Sequence, residues 1–227
     1  MSEAVLSSGA EAPGTKGVAD DFSRDKQVFG VPWGKAMMWI FLLSDTFIFS
    51  CFLVSYMSVR ISSTDPWPIP SEVFALTLFG TSIPQVLIAI MTFILITSSG
   101  TMAMAVNMGY RKDRNKTFWL MVATAVLGAS FVGMQAFEWT KLISEGVRPW
   151  GNPFGAAQFG SSFFMITGFH GMHVSAGVIY LLVVAFRVKN GFYEKRGGNY
   201  EIVEITGLYW HFVDLVWVFI FAFFYLW

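Results

Sequence analysis

Apolar residues run along this chain in five long blocks separated by short polar breaks, and the blocks show no strand-period alternation. Each block is long enough to cross about 30 Å of hydrocarbon as a helix. The pattern predicts spans over about Lys35–Val59, Pro84–Tyr110, Thr117–Thr140, Phe159–Arg187 and Val203–Trp227. The breaks carry turn chemistry. Pro66, Pro68 and Pro70 deny backbone donors to the first connection, which reads as an extended loop, with a short interfacial helix expected over Ser71–Phe79. Arg111–Lys116 reads as a tight basic turn, Trp150-Gly-Asn-Pro-Phe as the third loop, and Arg187–Tyr200, with Gly197-Gly198, as the fourth. The predicted fold class is all-α: a polytopic membrane helix bundle occupying residues 34–227. Residues 1–33, rich in Ser, Gly, Ala and acids, read as a flexible cytoplasmic tail and not as a signal peptide.

Composition agrees with this and narrows it. Only 13% of the 227 residues are charged, against about 25% in a soluble domain. Mean hydropathy is +0.56, so there is too little polar surface to cover a water-soluble globule. Net charge is zero, which excludes the basic stripe of a nucleic-acid binder. The single cysteine, Cys51, has no disulfide partner in the chain and reads as a small buried hydrophobe.

The placement of charge gives an expected orientation. With five spans, twelve basic residues fall on the side of the N-terminus: Lys16, Arg24, Lys26, Lys35, Arg111, Lys112, Arg114, Lys116, Arg187, Lys189, Lys195 and Arg196. Arg60, Lys141 and Arg148 fall on the other. The positive-inside rule then puts the N-terminus in the cytoplasm and the C-terminus outside. Trp33, Trp67, Trp119, Trp139, Trp150 and Trp227 lie at span ends or in loops, as an interfacial belt expects. Small residues recur at fourth positions, at Ser99, Ala103 and Asn107 and at Ala125, Ala129 and Gly133, which suggests close helix packing.

Six ionisable residues fall within or near the hydrocarbon, where each costs roughly 2.5–3.5 kcal/mol on insertion scales: Asp45, Glu138, His170, His173, His211 and Asp214. Asp45 reads either as a proton-relay or headgroup contact, or as a neutralised carboxyl tying two helices together, with Ser44 and Thr46 as neighbouring donors. Glu138 reads as an outer-end residue snorkelling to the interface. His170 and His173, and likewise His211 and Asp214, are three apart and share helix faces. Trp210, Asp214 and Trp217 make one polar-aromatic stripe. His170 or His173 facing His211 is an arrangement that a b-type haem uses, but three histidines are too few for a haem-copper centre. Histidines bound to Asp214 or to backbone across helices are the plainer reading.

The last span brings a resemblance. Tyr209-Trp-His-Phe-Val-Asp-Leu-Val-Trp-Val-Phe-Ile-Phe, with Tyr225 and Trp227 behind it, resembles the terminal signature of the haem-copper oxidase subunit III family. Gly168-Phe-His-Gly-Met-His-Val-Ser-Ala-Gly177 is a second block. Gly128–Trp139, ending Gln135-Ala-Phe-Glu-Trp, is a third, and Thr97-Ser-Ser-Gly-Thr101-Met a fourth. Trp39-Ile-Phe-Leu-Leu-Ser-Asp45-Thr carries Asp where the family has Glu. The five spans resemble the short bacterial form.

The resemblance implies a non-catalytic subunit of a proton-pumping terminal oxidase in the bacterial cytoplasmic membrane. It implies packing on subunit I, subunit II and other subunits in the same complex, haem and copper held by those partners and none here, and bound phospholipid. It implies a lipid or proton-uptake role for the six buried polar residues. Cytochrome c is the expected electron donor. A quinol oxidase subunit, an accessory protein of nitric oxide reductase and a small haem-bearing quinone oxidoreductase are the alternatives.

Overall fold

A computed structural model describes residues 31–78, 81–196 and 200–227. The expected tail lies almost wholly outside the described residues, as do Phe79 and Gly197-Gly198. Among the described residues, five helices are long and apolar enough to cross a membrane: α1 (Trp33–Ser62), α2 (Val86–Tyr110), α3 (Arg114–Ser144), α4 (Ala157–Lys189) and α5 (Glu201–Phe221), the last continuing as a π-turn over Ala222–Leu226. Each expected span is found to within a few residues. The segment up to Met37 clusters as a unit of its own; its described part opens α1, with the Pro32 carbonyl accepting from the amides of Lys35 and Ala36.

Within the second unit, Met38–Trp227, the backbones of α2, α3, α4 and α5 close into a ring. Each packs on the next, and α5 returns between α4 and α2. Lipid tails are as apolar as leucine, so helices in a bilayer associate by close packing and shared hydrogen bonds. The ring uses both. Trp210 of α5 is fully buried; its Nε1 donates to Ser98 Oγ of α2 at 2.9 Å, and its edge fits against Gly128 of α3 and Gly177 of α4. Two turns on, Trp217 Nε1 donates to Thr92 Oγ1 at 3.0 Å. Tryptophan numbers rise as their α2 partners fall, so the two helices run antiparallel.

The small-residue stripes lie elsewhere than the fourth-position pattern suggests. Ala103, Asn107, Ala129 and Gly133 face outward, whereas Ser98, Met102, Ala105 and Gly109 on α2 and Ala125 and Gly128 on α3 face inward. A spacing of four drifts off a face that turns every 3.6 residues.

Helix α1 stands outside the ring and is held by side chains. Phe49 meets Phe169 at 5.3 Å and His173 at 5.6 Å between ring centroids. Tyr56 meets Phe224 at 4.1 Å and Trp67 at 5.7 Å. Grooves of about 620 Å3 and 290 Å3 flank it, towards α4 and α5 respectively. Cys51 is exposed on α1, contrary to its expected burial; a helix touching the bundle along one narrow line leaves most of its circumference outside.

The expected interfacial helix is shorter than the sequence suggests. One turn, Pro70–Val73, is followed by an antiparallel pair, Ala75–Leu78 with Thr81–Pro84. The pair leads into α2 through Gln85, whose left-handed backbone (φ 59°) turns the chain.

The second break is also tighter than the expected turn. Arg111–Asp113 make the corner, and Arg114 and Lys116 already belong to α3. The Asp113 side chain caps α3 by accepting from Lys116 N at 3.1 Å. That bond and the Lys116 ammonium hold the Asp113 carboxyl below the usual aspartate range.

Candidate functional site

The six polar residues separate into four surroundings; Asp45, Glu138 and His170 are buried, and His173, His211 and Asp214 are half-buried. Asp45 is 4% exposed, on the face of α1 turned to α4. Its expected neighbours are otherwise engaged: Ser44 donates to the Phe41 carbonyl and Thr46 to the Leu42 carbonyl, both within α1. The partner of Asp45 is His173, whose Nε2 lies 3.2 Å from Oδ2. His173 Nδ1 lies 2.8 Å from the Phe169 carbonyl oxygen one turn back. A carbonyl only accepts, so Nδ1 carries a hydrogen there. The contact between Nε2 and Oδ2 then closes only with one proton between them, on the ring or on the carboxyl. Either way the pair is neutral as a unit, the form that a low-dielectric interior tolerates. Tyr209 of α5 donates to the His173 carbonyl at 2.9 Å, drawing a third helix to the pair.

His170, on the next part of the same face, has a different setting. It is 1% exposed and lies among rings: stacked on Trp217 at 5.4 Å and 27°, edge-on to Phe131 at 5.9 Å and to Phe49 at 6.3 Å. Among the described residues, neither ring nitrogen has a hydrogen-bond partner.

On α5, His211 turns to α2, where Ser99 Oγ lies 2.6 Å from its Nδ1. Among the described residues no hydrogen bond joins His211 to Asp214, contrary to the expected pairing. Of the Trp210–Asp214–Trp217 stripe, the two tryptophans bond to α2 through Ser98 and Thr92 and also pack on α3 and α4.

Glu138 does not snorkel. It is 3% exposed, and its Oε2 accepts from Gln135 Nε2 at 2.9 Å and from the Tyr225 hydroxyl at 3.1 Å. The π-turn sets this up: its wider winding turns both Phe224 and Tyr225 into the core. The Tyr225 carbonyl in turn accepts from Gln85 Nε2, tying the end of α5 to the start of α2. Lys141, one turn past Glu138, reaches the Ala75 carbonyl and Glu145.

Reasoning from sequence therefore picks out the titratable members and misses Ser99 and Tyr225, which bond to them, and Ser98, Thr92 and Gln85, which bond to Trp210, Trp217 and the Tyr225 carbonyl. The only signal for these is hydroxyl and amide side chains inside apolar runs. The three histidines reach different ends: a carboxyl, an aromatic box and a serine.

Comparison with known proteins gives this geometry its family. A protein of Staphylococcus epidermidis named "Probable quinol oxidase subunit 3" is 32% identical over 188 residues, 83% of this chain and 86% of that protein. The protein of the same name from Staphylococcus aureus is 32% identical over 189 residues, with the same shares. Residues 25–227, including every polar group described above, match the cytochrome c oxidase subunit III family. The chain belongs to that family.

Proposed function

We propose that this chain is the non-catalytic third subunit of a proton-pumping terminal oxidase that draws electrons from cytochrome c and reduces oxygen to water. In this role it packs on subunit I, binds phospholipid, and supports proton uptake and the stability of the complex. Haem and copper belong to the partner subunits, with subunit II in the same assembly. The basic asymmetry supports an N-terminus in the bacterial cytoplasm and a C-terminus outside. Family membership supplies the coarser statement, an accessory subunit of an oxidase complex in a membrane.

One observation carries the proton-uptake part: the contact of Asp45 with His173. The proton it holds can sit on Oδ2 or on Nε2 with no change in the charge of the pair. A group of this kind accepts a proton on one side and releases it on the other without leaving a bare charge in the bilayer. It also joins α1 to the ring, so the position of α1 and the protonation of the pair are linked. Asp45→Asn separates the two roles. An amide still donates to Nε2 and keeps α1 in place, but it has no proton to give up. The complex should assemble normally and lose activity faster than the native form during sustained turnover. Unchanged turnover would assign the pair to packing.

A second reading concerns only the electron donor, and the names of the Staphylococcus relatives favour it: the complex takes electrons from a quinol. Purified complex supplied with reduced cytochrome c or with a quinol decides between them, and a dinuclear copper motif in the neighbouring subunit II favours cytochrome c. A stoichiometric haem spectrum from the chain purified alone would overturn the non-catalytic role.

A further inference from the structure

We propose that the outer groove between α2 and α3, beneath the corner that joins them, is a binding site for one anionic phospholipid. The groove has a volume of about 420 Å3; Met104 and Met108 of α2 form one wall, and Asn115, Lys116, Trp119 and Leu120 of α3 form the other. Its polarity runs one way. Asn115 and Lys116 sit at the start of α3, while Met104, Trp119 and Leu120 lie deeper along the helices. Trp119 is 64% exposed and Tyr110, at the end of α2, 66%, so the mouth of the groove lies at the level where aromatic side chains meet headgroups.

The corner is charged beyond its internal needs. Among its four cations, Arg114 pairs with Glu194 at 3.3 Å and Lys116 with Asp113 at 3.0 Å. Arg111 and Lys112 are exposed, and among the described residues no carboxylate comes within ion-pair distance of either. Two unmatched cations over an apolar channel fit a phosphate diester at the rim with an acyl chain between the methionines and Trp119. Methionine, unbranched and polarisable, moulds to such a chain. A zwitterionic lipid would supply the chain without the net charge. The site lies apart from the grooves beside α1 and from Asp45, so it rests on the membrane-spanning reading and not on the proton-uptake role.

The test uses membranes carrying the full chain with its partner subunits. Phosphatidylglycerol or phosphatidylcholine with a photoactivatable group on the acyl chain is added, and labelled peptides are mapped by mass spectrometry. Phosphatidylglycerol should label Met104–Leu120 at least about tenfold more than phosphatidylcholine. Each surface cation is worth about fivefold in affinity, so Arg111→Gln with Lys112→Gln should remove the preference and bring that labelling down to the phosphatidylcholine level. The charge-conserving exchange Arg111→Lys with Lys112→Arg should retain it.

Equal labelling by the two lipids would reduce the groove to ordinary lipid contact and overturn the proposal. Displacement of the label by inorganic phosphate would assign the cations to a free anion, with the same result. The lipid comparison on the native chain needs no variant to fold. Absence of other oxidase subunits from these membranes would count against the proposed role while leaving the labelling ratio readable.

Discussion

Gly128→Ala tests how the ring of helices is closed. A Cβ at Gly128 would stand 2.4 Å from Trp210 Cη2, 2.8 Å from Cζ2 and 2.9 Å from Val178 Cγ2. Trp210 has little room to retreat, because its other flank faces Gly177, where an added Cβ would come within 3.0 Å. Its Nε1 is also held at 2.9 Å from Ser98 Oγ. Overpacking of this kind costs roughly 1–3 kcal/mol. Displacing the ring adds the interhelical hydrogen bond, about 0.6 kcal/mol in a bilayer protein. Alanine returns up to about 1 kcal/mol as the better helix former. The net expectation is a loss of about 0.6–2.6 kcal/mol. Gly133 lies on the same helix with nothing within 4 Å of its would-be Cβ, so Gly133→Ala should be neutral or gain up to about 1 kcal/mol. Unfolding of the purified full chain by sodium dodecyl sulfate in mixed micelles, followed by tryptophan fluorescence, compares the two. Gly128→Ala should unfold at distinctly lower detergent fraction than Gly133→Ala. Equal midpoints would refute the packing argument, since the two substitutions are chemically identical.

Ser99→Ala removes the hydroxyl that meets His211 Nδ1 and should cost about 1–3 kcal/mol for the stranded ring nitrogen. Thr97→Ala, on the exposed side of the same helix, should cost far less in the same titration. Trp217→Phe keeps a ring against His170 and Phe131 and loses only the Thr92 bond, about 0.6 kcal/mol; Trp217→Ala empties the site and should cost about 3–5 kcal/mol. Asp113 supplies a pH test. Its carboxyl is held below its ordinary range, so the ionised cap contributes fully above the unfolded-state value near pH 4 and fades as the pH falls through the lowered one. Asn still caps but does not titrate, so Asp113→Asn should gain on the native chain in thermal-shift measurements as the pH drops below about 4. A constant difference across that range would count against the cap.

The helices were legible in the sequence because length and apolarity alone decide them. Their inward faces were not. A soluble helix marks its buried face by contrast with a polar one, but here both lipid and core are apolar, and Phe47 and Phe49 look alike although the first is 71% exposed and the second 3%. The acids and histidines stood out because a bilayer makes them costly. Their partners did not, since a serine in an apolar run such as Ser98 or Ser99 is inexpensive wherever it points. From sequence Glu138 reads as snorkelling for want of Tyr225, which lies 87 residues away and reaches it because α5 ends in a wider turn. The pairing of Ala75–Leu78 with Thr81–Pro84 is hidden in the sequence by its brevity.

That α1 is held by side chains from later in the chain has a consequence for biogenesis. It is made first and completed last. Asp45 must wait for His173, about 130 residues further on, which at roughly 5–20 residues per second is about 6–26 s of synthesis. Through that interval α1 carries a carboxyl with no partner, a burden of roughly 2.5–3.5 kcal/mol set against an apolar stretch whose mean hydropathy is 2.0. The helix is apolar enough to stay in the bilayer, but its acid stays protonated or sheltered until α4 arrives. Ribosome pausing before His173, or slowed elongation, should therefore lengthen the time in which this subunit is open to quality-control proteolysis.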